Sequence, residues 1–476
     1  MRRVKTKLNQ ISVLVVALIV SISLAACGDN TATTAPAATT AAATTAAATT
    51  AATATTAAAA TTASGSATTA ATASGSVWLN TPGQVPANIK GGPGVDLANK
   101  TITVASITDM TGPASNGGQL AFRSLTTFFK GLNDRGGIDG FKIIYNNYDS
   151  QYSPQVATQA YNKAIDNTAM FSFILGTPIV GALQPQIDQD KVFSIAASYA
   201  SKWVKDPNML VGGTTYRVEL LNLVDYLVNK MGKKNPKMAF VYQDDALGAD
   251  IAAAYDVAIK TYGVQDMGRF GYKATDKDFT GQATALKNSG ADYVFVGGLY
   301  NQAQQVISTA SSLGYNPTYL MNVIAWDASI FNTGAKDAIK GALIPYNAPS
   351  WTSTNVPMIT QMNEDIKKYL PNEPESSGFT TDYFDGIITQ AVLKKAIESG
   401  DLSREGILKA ANSLQNVDVL GYIPPMTIGT DPNQRLISRA IKIGTPDASA
   451  PSKLKLLTDE FYMGEAAKNY DFATAP

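Results

Sequence analysis

Few residue sets in this 476-residue chain could carry covalent chemistry. It holds no His and a single Cys, Cys27, which removes Ser-His-Asp and Cys-His nucleophile systems, an imidazole base, and His-ligated zinc or haem. One Cys cannot close an internal disulfide or build a Cys-rich metal cluster. A hydrolase would need a nucleophile elbow, which is not found, or paired carboxylates. Asp244-Asp245 and Asp382/Asp385 are such pairs, and neither is tied to a second motif. Lys and Arg number 38 against 38 Asp and Glu, so the chain carries no electrostatic footprint for nucleic acid. No catalytic residue, metal site or cofactor is assigned. The chemistry that remains is binding, through hydroxyls, backbone amides and aromatic rings.

The elements that would position such groups begin after a long leader. Arg2, Arg3, Lys5 and Lys7 precede an apolar run from Ile11 to Ala26. This pattern is a secretory signal over 1–26, short of the roughly 18–20 apolar residues of a spanning helix. Residues 27–76 follow as Cys27 and a spacer that is almost pure Ala and Thr from Thr31 on. With nothing larger than Thr to bury, the spacer cannot offset its ordering entropy. As a coil it would span roughly 35–40 Å.

Residues 77–99 are rich in Gly and Pro and read as a lead-in. Beyond them, β-branched runs alternate with amphipathic ones. Strands are expected near 101–107, 141–145, 170–175, 192–196, 237–242, 264–270, 291–296, 318–324 and 341–346. Helices are expected at 154–167, 179–189, 216–230, 246–262, 279–289, 300–313, 379–398 and 403–413, with another face at Ala121, Leu125, Phe128, Phe129 and Leu132. Short apolar strands between helices imply right-handed βαβ units and parallel sheets covered on both faces. The rhythm alone fits either a closed barrel or two open sheets. Residues 417–443, with Gly421, Pro424-Pro425 and Asp431-Pro432, read as short strands and turns, which fits two lobes better.

Specific motifs sharpen this. Leu24-Ala25-Ala26-Cys27-Gly28 resembles a bacterial lipobox, in which the Cys is lipidated; an ordinary cleaved signal is the alternative. Asp109-Met-Thr-Gly-Pro113, Asn116-Gly117, Asn133-Asp-Arg-Gly-Gly-Ile-Asp-Gly140 and Asp149 follow in order, with Gly176-Thr-Pro178, Asp278-Phe279 and Ser289-Gly-Ala-Asp292 further on. The ordered set resembles the extracytoplasmic solute-binding proteins of ABC importers of the branched-chain amino acid type, with the periplasmic binding protein type I fold. The resemblance covers roughly 100–445. It implies an α/β, two-lobed fold, each lobe an open parallel sheet, joined by three crossings near Gly212–Thr214, Pro345–Ala348 and Leu420–Pro424. One lobe would comprise 100–213 plus 347–420, the other 214–345 plus 421–445, with 446–476 as a C-terminal tail.

In such sheets ligands sit beyond the carboxyl ends of the strands, where helix N-termini offer free N–H groups. The resemblance places ligand contacts at Asn116, Gly117, Thr177, Ala197, Ser198, Asp245, Leu247, Tyr300 and Trp326. Several have plainer roles open to them. Thr177 and Asp245 could cap helices, Asn116 and Gly117 could form a turn, and Trp326 could pack at the rim. Trp203 reads as packing. Receptors for α-amino acids carry an acid where Val323 stands here, so a buried ammonium would lack its partner there. Other carboxylates, amides and aromatic or nucleoside-like solutes are therefore open.

The expected protein is a monomeric, lipid-anchored receptor on the outer face of the cytoplasmic membrane, handing a small solute to an ABC permease. A receptor feeding a signalling partner and an extracytoplasmic hydrolase are the competing readings.

Overall fold

A computed structural model describes residues 77–346, 348–450 and 452–475. The signal segment, Cys27 and the Ala/Thr spacer lie outside the described residues.

The first lobe opens with α1 (Val77–Asn80), β1 (Val95–Asp96), β2 (Thr101–Thr108), α2 (Ser115–Asp134), β3 (Lys142–Asp149), α3 (Pro154–Ala164), β4 (Met170–Leu175), α4 (Thr177–Asp190), β5 (Ser194–Ala197) and β6 (Met209–Val211). Strands β3-β2-β4-β5-β6 run parallel in that order, and β1 pairs antiparallel with the start of β2. Burial explains their composition. Ile102, Val104, Phe171, Phe173 and Ile195 have no more than 2% exposure, because helices cover both faces.

The second lobe follows with α5 (Tyr216–Asp225), β7 (Lys237–Gln243), α6 (Ala246–Tyr262), β8 (Gln265–Tyr272), α7 (Thr280–Ser289), β9 (Tyr293–Gly297), α8 (Tyr300–Ser312) and β10 (Thr318–Met321). Its parallel order is β10-β9-β7-β8. The fold is thus two open sheets, not a barrel. β11 (Ile344–Tyr346) follows; just ahead of it Leu343 pairs with Leu320 of β10 and extends this sheet.

The chain then returns to the first lobe through α9 (Pro357–Tyr369), α10 (Ser377–Glu398) and α11 (Arg404–Ser413). Helix α10 is buried on every side and packs on α2, with Phe128 edge-on to Tyr383 at 5.0 Å. Finally β12 (Lys442–Pro446), β13 (Leu454–Leu456) and α12 (Glu465–Lys468) go back to the second lobe, where β12 pairs antiparallel with both β11 and β13.

Several expectations differ from what is observed. The strand expected to run to 324 ends at Met321, because Asn322 turns away: its Oδ1 accepts the Gly298 N–H at 3.0 Å and a 3-10 turn follows. Among the described residues, 417–441 hold only two isolated bridges, Val417–Met426 and Ile441–Tyr462, before β12 starts. Prolines 424, 425 and 432 have no N–H to give a ladder. Buried Arg435 instead ties this stretch to the first lobe through the carbonyls of Pro207 (2.9 Å) and Met209 (3.0 Å). The segment 446–476, expected as a tail, is built into the second lobe. Its β13 completes a sheet, and the Gly464 N–H donates to Asn222 Oδ1 of α5 at 2.8 Å. The lead-in is also tied down, since Lys394 Nζ donates to the Thr81 carbonyl at 2.9 Å and pairs with Asp139 at 3.0 Å.

Among the described residues no helix is long and apolar enough to cross a membrane.

Candidate ligand-binding site

The loops at the carboxyl ends of the strands are shaped by their own side chains. After β2, the Asp109 carboxylate accepts the N–H groups of Thr111, Gly112 and Ala114 at 3.2, 2.5 and 2.7 Å. Asp149, at the end of β3, accepts Met110 N–H and Thr111 Oγ1 at 2.9 and 2.8 Å. These two acids hold the loop that leads into Asn116 and Gly117, in the first turn of α2. After β4, Gly176 takes φ +103°, and a Cβ there would lie 2.6 Å from the Tyr152 ring. Only glycine fits that turn.

These loops, those of β7, β9 and β10, and all three crossings surround one cavity of about 630 Å³. Asn116, Gly117, Thr177 and Ala197 face it from the first lobe, and Leu247, Tyr300 and Trp326 from the second. Across its mouth, Asn301 Nδ2 donates to the Pro113 carbonyl at 3.2 Å. The wall is mainly aromatic and aliphatic: Tyr199 and Tyr216 pack with ring centres 5.7 Å apart, and Trp326 stands edge-on to Phe331 at 6.2 Å.

Two of the expected residues do not line it. β5 ends at Ala197, which faces the cavity, and Ser198, just past the strand, turns into the protein. The buried Ser198 hydroxyl donates to Thr177 Oγ1 at 2.9 Å and accepts from Trp203 Nε1 at 2.8 Å. Asp245 caps α6, accepting the Leu247 N–H at 2.8 Å and Gln243 Nε2 at 2.5 Å. Its own burial raises its pKa. Thr177 is not the cap of α4; that position is Gly176, and Thr177 is the first helical residue. Trp203 is fully buried packing, as its sequence position implies.

Sequence reasoning named Asp382 and Asp385 only as a carboxylate pair with no second motif, and did not name Glu219. Glu219, on α5, lines the cavity and is 1% exposed, and its Oε2 accepts the Val323 N–H at 3.1 Å. A carboxylate therefore stands at the very loop where Val323 left one lacking. Burial pushes Glu219 well above the ordinary carboxylate range, and the Val323 N–H pulls it partly back. Asp382, on α10, also lines the cavity, and burial alone pushes it well up. Asp385 lies one turn further on, against Gly212 of the first crossing; neither of its oxygens has a hydrogen-bond partner among the described residues. Burial raises it first, then the charge of Asp382. No sequence signal marks them, because what sets each apart is burial in the folded chain. Among the described residues no three His, Cys, Asp or Glu groups come together as a metal site.

A family profile described as "Periplasmic binding protein" matches residues 101–448. A Leu/Ile/Val-binding protein homolog 3 of Brucella melitensis is 23% identical over 275 residues, 54% of this chain and 73% of that protein. The Leu/Ile/Val-binding protein of Escherichia coli is 23% identical over 328 residues, 66% of this chain and 84% of its own. Among solved structures, a fatty acid ABC transporter substrate-binding protein from Thermomonospora curvata is 29% identical with a TM-score of 0.75, covering 82% of this chain and 98% of that one. A branched-chain amino acid ABC transporter protein from Thermus thermophilus with bound valine is 18% identical with a TM-score of 0.65, covering 79% and 98%.

Proposed function

The chain belongs to the periplasmic binding protein family and is an extracytoplasmic solute receptor of the ABC-importer type; we propose that its ligand is a small, largely apolar compound with one polar end, held in the 630 Å³ cavity. The observation that carries this is the cavity wall. Aromatic and aliphatic side chains from both lobes and all three crossings converge on one space, interspersed with hydroxyls and a few charged groups. A solute touching both lobes favours the closed arrangement, which a permease can distinguish from the open one.

The proposed contacts are Asn116, Gly117, Thr177, Ala197, Leu247, Tyr300 and Trp326, joined by Glu219 and Asp382. Ser198 and Asp245 act behind this layer. The named relatives are described as binding proteins, and no catalytic role is assigned to any residue here. The Thermomonospora protein is described as a fatty acid receptor and the Brucella and E. coli relatives as receptors for branched-chain amino acids. Both ligand types have an apolar body and one polar end.

A thermal-shift screen of the full chain against apolar amino acids, fatty acids, amines and aromatic acids tests the reading. A binding solute must raise the melting temperature with concentration. A chain that no such compound stabilises does not use this cavity as proposed.

We further propose a monomer held at the membrane by lipid on Cys27, supported by the Leu24-Ala-Ala-Cys27 sequence. The Ala/Thr spacer would then lift the receptor off the surface. Cys27→Ser should move the protein from the membrane fraction to the soluble one; retention in the membrane fraction contradicts the anchor.

A further inference from the structure

We propose that the polar end of the solute is a cation, an amine or quaternary ammonium on an apolar body, and that Glu219 and Asp382 are its counter-charges. This rests on the reading of the cavity as the solute site, and it narrows the substrate class.

The argument begins with what the acids lack. Asp382 is 8% exposed and lines the cavity, and burial alone acts on it, with no basic side chain beside it. Glu219 has the Val323 N–H and no basic side chain. A buried carboxylate without a cation or several donors is costly, and native proteins rarely keep one without use. Here two face the same apolar space, with Asp385 directly behind.

Charge balance in the wall points the same way. Acids outnumber bases five to two among the lining residues. Both bases are engaged: Arg123 holds Glu373 through two bonds of 2.8 and 2.9 Å, and Lys453 Nζ donates to the Ala448 carbonyl at 2.8 Å. A solute carboxylate would find no free cation and would meet a negative field. Burial first, and then Asp385 and Asp382, push the Tyr199 hydroxyl up. A cation would instead be drawn to these acids. Its N–H groups or its charge would satisfy the carboxylates, and the faces of Tyr199, Tyr216 and Trp326 would add cation–π attraction. Acids on α5 and α10 belong to different lobes, so one cationic group between them would also draw the lobes together.

Solutes that share a body and differ in head group provide the test. Phenethylamine with 3-phenylpropanoate, tryptamine with indole-3-propionate, and octylamine with octanoate are titrated into the full chain by calorimetry, alongside thermal shifts. The amines should bind and stabilise, and their carboxylate twins should not. Glu219→Gln keeps an acceptor for Val323, and Asp382→Asn removes the second charge independently. Each should weaken amine binding roughly thirtyfold or more, as expected for loss of a desolvated charge partner, with an unliganded melting temperature no lower than wild type. Carboxylates that bind as tightly as amines, or variants that both retain amine affinity, overturn the assignment while leaving the cavity as the solute site. If neither head group binds on any body, the cavity reading itself fails and takes the assignment with it.

Discussion

Two polar clusters border the same cavity, and they differ in how completely their hydrogen bonds are met. At the end of β5, Ser198, Thr177 and Trp203 form a closed chain: indole N–H to serine oxygen at 2.8 Å, serine O–H to threonine oxygen at 2.9 Å. On α5 and α10, Glu219 has one donor, nothing offsets the burial of Asp382, and neither oxygen of Asp385 has a partner among the described residues, although all three are buried. A satisfied cluster holds loops in place and has little left to offer a visitor. An unsatisfied one is a standing cost that a ligand can relieve. The comparison separates architecture from recognition where residue type alone misleads, since Ser198 resembles a ligand contact and Glu219 sits in what reads as an ordinary buried helix.

The comparison breaks first at Trp203, where the largest effect is expected. This side chain is fully buried and anchors the satisfied cluster. Trp203→Ala should cost about 3–5 kcal/mol of stability, read from denaturant unfolding. Affinity of the folded fraction should change little. A variant of normal stability that loses ligand would place Trp203 in recognition instead.

The unsatisfied cluster gives the next effect, and its sign is definite. Asp385 has a folded pKa raised well above the ordinary carboxylate value of 3.8, first by burial and then by Asp382. A raised folded pKa means the native state holds the proton longer than the unfolded one. The resulting stability is complete below about pH 3.8 and is lost as pH rises through the folded pKa. Glu219 and Asp382 add to the same trend. The unliganded protein should therefore lose stability from about pH 4 upward, each acid contributing at most about 1.4 kcal/mol per pH unit. Asp385→Asn should flatten the melting temperature across this range. A variant with the wild-type slope would mean that Asp385 has a partner in solution.

How much of this could be read from the chain follows the same division. Alternating β-branched runs and helical faces are local signals, and β2, β4, β7 and α6 lie close to where the pattern predicts them. The loops after the strands were legible because Asp109, Asp149 and Gly176 act on backbone within a few residues or one adjacent strand. β6, α9 and the packing of 446–475 were missed. A three-residue strand has almost no period, and the last segment is held by distant partners such as Asn222. Of the cavity wall, several residues at strand ends were named from the resemblance, but whether Ala197 or Ser198 faces inward depends on how the chain turns where β5 ends. Glu219 and Asp382 reach the cavity from α5 and α10 through the packing of distant segments, which no local spacing encodes.

Tyr300 tests the apolar wall. It opens α8, lines the cavity and is largely buried, with a hydroxyl that has no partner among the described residues. Tyr300→Ala removes a ring from the ligand's surroundings and should weaken binding by about 1.5–3 kcal/mol, with stability reduced less. Tyr300→Phe should keep most of the affinity, because the ring contributes more than the unpaired hydroxyl. Equal losses in the two variants would mean the hydroxyl itself contacts the solute.

The smallest effect is expected at Ser198, and it is the sharpest test of the contrast. Ser198→Ala leaves the Trp203 N–H without its acceptor and frees Thr177 Oγ1 from its donor. The indole N–H is buried, so its lost bond should cost about 1–2 kcal/mol of stability. The Thr177 hydroxyl stays where α4 begins, beside the cavity, and gains the freedom to turn its lone pair toward a solute. Affinity should therefore remain unchanged or rise slightly, while the melting temperature falls. The reverse result, normal stability with weakened binding, would show that the serine hydroxyl leaves its internal partners when solute arrives. Satisfaction of hydrogen bonds in the unliganded state would then no longer separate the residues that hold the loops from those that hold the ligand.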